Sequence, residues 1–178
     1  MKLIIGLGNP GKQYEKTRHN VGWVVLDKLS RALTSALYSQ NNKFKSEISE
    51  GEMNGKKIIF AKPQTFMNNS GEAIRTIIDF YKINPENDLI VIHDDKDIPL
   101  GEVKIQKNKS SAGHNGVQSI INYLKTQNFT RVRIGVAPQD PNKIGDTAKF
   151  VLKKFGLFEK KKLSEGIDKA VQIIIGII

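Results

Sequence analysis

Residues Leu3–Gly22 read LIIGLGNPGKQYEKTRHNVG, and the reading of this stretch decides the fold. Leu3, Ile4 and Ile5 form an apolar run of the kind that lies in a strand buried on both faces. Gly6, Gly8, Pro10 and Gly11 then break any regular element. Asn9, Tyr14, Thr17, Arg18, His19 and Asn20 supply a dense set of groups that donate, accept or shuttle protons. Open α/β sheets place their ligands where a strand ends in such a turn.

Working outward, Val21, Val25, Leu29, Leu33 and Leu37 recur every fourth residue, which predicts an amphipathic helix to about Tyr38. The polar segment 39–45 reads as loop, and 44–53 as an edge strand. Asn54-Gly55 is a hairpin turn, and Lys57–Ala61 a buried strand ended by Pro63. Ile74, Ile77, Ile78 and Tyr81 place a helix over 70–82, and Leu89–Ile92 is the next buried strand. Val103 and Ile105 alternate with Lys104 and Gln106 in a strand with one wet face. A helix begins near Asn115. Val132 and Ile134 alternate with Arg131 and Arg133, so both arginines share one strand face. Leu163, Ile167, Ala170, Val171 and Ile174 outline a last helix. Strands alternating with helices, without repeats or a linker, give a single-domain three-layer α/β/α sandwich around a mixed, mostly parallel sheet spanning 1–178.

The chain has 178 residues, no cysteine and a net charge of +10. Disulfides, thiolate metal sites and a cysteine nucleophile are therefore excluded. The excess of Lys and Arg suits a polyanionic partner, although a lysine-rich composition also produces basic proteins of every function. The start of the chain does not read as a secretion signal, and its longest apolar run, at 173–178, is too short to span a bilayer. A cytoplasmic protein is expected.

Gly6, Gly8 and Gly11 satisfy GxGxxG, but a dinucleotide site needs an apolar helix opening at the third glycine, and Lys12–Arg18 is polar. His93, Asp94, Asp95 and Asp97 admit three readings: a Mg²⁺ or Mn²⁺ site, a carboxylate orienting a histidine, or a solvated turn. An imidazole, with an unperturbed pKa of ~6.5, is the side chain best able to take a proton from water at neutral pH, which makes His19 a candidate base. Asn68 and Asn69 precede a helix, where capping by Asn69 or Ser70 is the plain expectation.

Several motifs together resemble bacterial-type peptidyl-tRNA hydrolases: GLGNPGKQYEKTRHNVGW at the start, KPQTFMNNSG at 62–71, HDDKDIPLG at 93–101 and SAGHNG at 111–116. FTRVRIG at 129–135 and KFVL at 149–152 extend the resemblance over nearly the whole chain. It implies hydrolysis of the ester between peptide and tRNA, with no cofactor and no metal. It makes His19 the general base, Asp94 its orienting carboxylate and Asn9 a catalytic amide. Tyr14, Met67, Asn68, His114 and Asn115 become substrate-binding residues, and the substrate, peptidyl-tRNA, the partner of a monomer. It places a tRNA phosphate on Arg133. The usual second cation is Gln106 here, and Lys104 on the same strand face is expected to supply the charge. Two alternatives follow from the residues: a metal-dependent phosphoesterase on His93, Asp94, Asp95 and Asp97, and a non-catalytic RNA-binding protein.

Overall fold

The computed structural model describes residues 1–140 and 143–178. The apolar run at the start becomes β1 (Lys2–Gly6), with Leu3, Ile4 and Ile5 fully buried. β1 is central, with β4 (Lys56–Pro63) and β5 (Leu89–Pro99) parallel on its two sides. β7 (Thr130–Ala137) continues the parallel sheet beyond β5. Antiparallel strands finish the edges, β3 (Ser46–Met53) and β2 (Ser39–Asn41) beyond β4, and β6 (Val103–Lys107) beyond β7. The order is β2-β3-β4-β1-β5-β7-β6.

Helices cover both faces, as the alternation of strands and helices predicts. Leu3, Ile5, Ile59, Leu89 and Val91 bury against α2 (Ser70–Tyr81) and α4 (Asn115–Leu124). Ile4, Phe60, Ile90, Ile92 and Val132 bury against α1 (Val21–Leu33) and α6 (Lys160–Ile177). Each buried Leu or Ile stabilises the fold by ~1.5–3 kcal/mol, so the central strands hold both layers. Two short helices, α3 (Pro85–Asp88) and α5 (Thr147–Val151), lie in connections.

Three expectations need correction. The first helix stops at Leu33 rather than Tyr38: Thr34 is extended and its hydroxyl accepts the Ala36 N–H. Leu37, which continues the fourfold spacing, is 88% exposed. Residues 39–41 are not loop but pair with β3. β5 runs through HDDKDIP instead of ending at Ile92, because β7 keeps pairing with it up to a bulge between Asp95 and Pro99. Gly135 makes the bulge possible, since a Cβ there would lie 2.1 Å from the Pro99 carbonyl oxygen.

A second close approach sets the site. A Cβ on Gly22 would sit 2.5 Å from the Ile92 oxygen and 2.6 Å from the Leu7 oxygen. Glycine thus lets the start of α1 rest directly on the ends of β1 and β5. The turn Arg18–Asn20 just before it is thereby delivered to Asp94.

Candidate active site

β5 alternates its side chains across the sheet, so His93 and Asp95 leave on one face and Asp94 on the other. Asp94 is 2% exposed. His19 Nδ1 donates to Asp94 Oδ1 at 2.7 Å, and His114 Nε2 donates to the same oxygen at 2.9 Å. The tautomers follow from the network. His114 precedes α4, and its Nδ1 accepts the Val117 N–H at 3.2 Å, so its proton is on Nε2. His19 carries its proton on Nδ1, which turns the Nε2 lone pair away from the carboxylate. Burial alone would raise the pKa of Asp94. The two imidazoles, by their charge when protonated and by hydrogen bonds, outweigh burial and hold it far below the usual carboxylate range.

His93 is buried behind this pair. Its Nδ1 donates to the Asp94 carbonyl at 2.7 Å and its ring meets that of His114 at 4.6 Å. Burial, with the neighbouring His114 adding to it, pushes the His93 pKa well below 6.5. The rings of His19 and His114 are 4.9 Å apart.

Asn9 is positioned by a residue whose role the sequence reading missed. Asn20 Oδ1 accepts the Asn9 N–H and Asn20 Nδ2 donates to the Asn9 carbonyl, both at 2.9 Å. The Met67 N–H then donates to Asn9 Oδ1 at 2.8 Å. With its oxygen occupied, the Asn9 amide presents its NH₂ to the groove. Neither Asn69 nor Ser70 caps α2 with its side chain; the Ser70 hydroxyl donates to the Met67 carbonyl instead.

The groove has two ends that meet at His19 and Asn115. One, of about 290 Å³, is lined by Asn9, Tyr14, Phe66, Met67 and Asn68. The other, of about 250 Å³, is lined by Asp94–Asp97 and Ser111–Asn115. Ala148 and Val151 of α5 form a wall common to both; Val151 lies within the KFVL motif, which did not reveal this role, and Ala148 just before it. Phe66 has φ 57° and ψ 159°, a strained conformation for a residue with a side chain, and meets Tyr14 edge-on at 6.5 Å. Every expected residue except Arg133 and Lys104 therefore borders the groove.

Those two face each other across β6 and β7. Arg133 is engaged already: Nε and Nη2 reach Asp95 Oδ2 at 2.7 Å each, and Nη1 donates to Gln106 Oε1 at 2.9 Å. The tetrad His93, Asp94, Asp95 and Asp97 does not converge, since Asp95 serves Arg133 and Asp94 serves the two histidines. Among the described residues, His19, Asp94 and His114 have metal-like spacing, with ligand atoms within 4.8 Å. His114 could ligate through Nε2 only by giving up its bond to Asp94 and the Val117 N–H. The first α-helix after Gly11 opens only at Val21, so no α-helix N-terminus stands at the third glycine, where the dinucleotide pattern needs one.

An imidazole fixed on a buried carboxylate, beside an amide donor in an open groove, defines a site able to draw a proton from water and stabilise the resulting oxyanion. The sequence profile of the peptidyl-tRNA hydrolase family matches residues 3–178, and the chain belongs to that family. It is 51% identical to the peptidyl-tRNA hydrolase of a Thermoanaerobacter species, covering all of this chain and 93% of that one. The Caldanaerobacter subterraneus peptidyl-tRNA hydrolase is 48% identical, with 99% and 92% covered. The crystal structure of the Acinetobacter baumannii peptidyl-tRNA hydrolase superposes with a TM-score of 0.87 at 29% identity, covering 99% of this chain and 89% of that one.

Proposed function

We propose that this chain hydrolyses the ester bond joining peptide to tRNA in peptidyl-tRNA, releasing free tRNA for reuse. The observation that carries this reading is the 2.7 Å bond between His19 Nδ1 and the buried Asp94, where the two ends of the groove meet. His19 Nε2 takes a proton from water as the oxygen attacks the ester carbonyl. The carbonyl oxygen becomes an oxyanion held by the Asn9 amide. As the tetrahedral centre collapses, the imidazolium returns the proton to the departing ribose oxygen of tRNA. A positioned base contributes ~10²–10⁴ in rate, and one oxyanion donor ~10²–10³.

Tyr14, Met67, Asn68 and Asn115 take the peptide, with asparagine amides holding its backbone without selecting side chains. His114 borders the same space. Arg133, aimed by Asp95, and Lys104 take a tRNA phosphate. Residues 1–178 act as one domain, as a monomer in the cytoplasm. No helix among the described residues is long and apolar enough to cross a membrane.

The test is release of free tRNA from peptidyl-tRNA by purified protein with a chelator present. Turnover should persist, which a phosphoesterase needing a metal or a passive RNA binder would not show. His19→Ala should lower kcat by ~10²–10⁴ while tRNA binding stays near wild type. Retention of more than about a tenth of kcat would remove His19 from the mechanism.

A further inference from the structure

A second cleft lies back to back with the catalytic groove. It is lined by Glu15, Lys16, Thr17, Val21, Val24, Lys154, Phe155, Lys160 and Leu163, and at about 470 Å³ it is larger than either end of the groove. The wall between them is a single bridge pairing Thr17 with Lys154. One residue, Arg18, separates Thr17 on the cleft side from His19 on the groove side. That is no more than ~7 Å of chain, the scale of a few ~3.4 Å steps between phosphates along a strand.

Arg18 fastens this wall. Its guanidinium packs on Phe150 at 4.6 Å and Phe155 at 5.0 Å, and donates to the Lys154 carbonyl at 2.8 Å. It also takes both oxygens of Glu159, at 2.7 and 2.8 Å, and Glu159 Oε2 further accepts the Gly156 N–H. The nearest carboxylate on the 153–162 segment is thus consumed, and the exposed Lys16, Lys154 and Lys160 form no ion pair among the described residues. Lys153, Lys161 and Lys162 extend the same basic segment. An apolar floor of Val24, Phe155 and Leu163 lies under a rim where Lys16, Lys154 and Lys160 outnumber the one lining carboxylate, Glu15, and this suits a polyanion carrying flat apolar faces. A nucleic acid strand has that chemistry.

We infer that this cleft is a second RNA-contact site, in which Lys16, Lys154 and Lys160 hold phosphates of the same tRNA whose ester lies at His19. The inference rests on the hydrolase reading. The wall that forms the cleft is continuous with the turn carrying His19, so tRNA seated there is held in register with the catalytic groove.

The experiment compares two substrates. Wild-type turnover of a peptidyl ester of the terminal adenosine, too short to reach the cleft, first checks the hydrolase reading by itself. With that established, the triple variant Lys16→Gln, Lys154→Gln, Lys160→Gln is assayed on whole peptidyl-tRNA and on the short ester. The expected result is a KM for peptidyl-tRNA raised about tenfold or more near 0.15 M salt. The slope of log K against log[salt] should become shallower by about 2–3, from three lost phosphate contacts at ~0.7–0.9 each. Turnover of the short ester should be unchanged. A control triple, Lys56→Gln, Lys82→Gln, Lys125→Gln, removes the same charge at the opposite end of the sheet and should barely move the slope. An unchanged slope in the first triple, an equal change in the control, or an equal loss on both substrates overturns the inference.

Discussion

His114 gives its Nε2 proton to the same Asp94 oxygen that receives the His19 proton, and this separates two roles for it. If it positions the carboxylate, His114→Ala should lower kcat by roughly 10–100-fold, the range seen when orienting partners are lost, with KM little changed. His114→Gln, whose amide NH₂ can stand where the Nε2–H stands, should restore much of the loss. A raised KM with intact kcat would make His114 a substrate contact only. At this scale the sequence was legible where a motif carried chemistry: His19, Asp94 and Asn9 were identified by resemblance, not by spacing. Asn20 was not, because its amide bonds go to the backbone of Asn9, eleven residues back, and no periodicity announces such a pairing.

The element that decides the geometry is the start of α1 against β1 and β5. Gly22→Ala would push a methyl group into two backbone carbonyls, which cannot swing aside as a side chain would. Overpacking costs typically ~1–3 kcal/mol, and the upper end is expected here. Stability in urea and kcat should fall together, since lifting α1 draws His19 from Asp94. A variant that loses stability but keeps kcat would show that the turn 18–20 is held by other contacts, Arg18 first among them. Elements with strong periodicity, such as α2, α4 and the core strands, were readable from sequence. The end of α1 was not, because Leu37 kept the spacing while Thr34 had already turned the chain. β5 was also underestimated: its acidic continuation has no strand pattern and is held by pairing to β7 and the bulge over Gly135.

For the whole molecule, His93 ties stability to acidity. In the folded chain its pKa lies well below 6.5, whereas in the unfolded chain it returns to the ordinary value. Below about pH 6.5 the unfolded state therefore binds a proton that the folded state refuses. The contribution of His93 is fully present above that pH and is lost as pH falls, by up to ~1.4 kcal/mol per unit. Asp94 acts in a separate, lower window, with its contribution lost only as pH drops below the ordinary carboxylate range. His93→Asn keeps a donor for the Asp94 carbonyl without a titrating ring. Urea unfolding between pH 7.5 and 5 should show a smaller loss in this variant than in wild type; parallel curves would remove His93 as the cause. The layered architecture was legible from the alternation of elements, but this burial was not, because His93 sits among acidic residues that read as surface.

The three imidazoles of the chain are its full complement, and all lie around Asp94. Nitrogen-15 placed only in histidine consequently yields a magnetic-resonance spectrum with no background from elsewhere in the molecule. The His114 signals can be told apart without sequential assignment, because His114 alone holds its proton on Nε2, toward the carboxylate, while His93 and His19 both hold theirs on Nδ1. Of the two Nδ1-protonated rings, the one missing from the spectrum of His93→Asn is His93, and the other is His19. Substrate binding, proton transfer and inhibitor occupancy can each be followed as the movement of one identified resonance, in the unmodified protein.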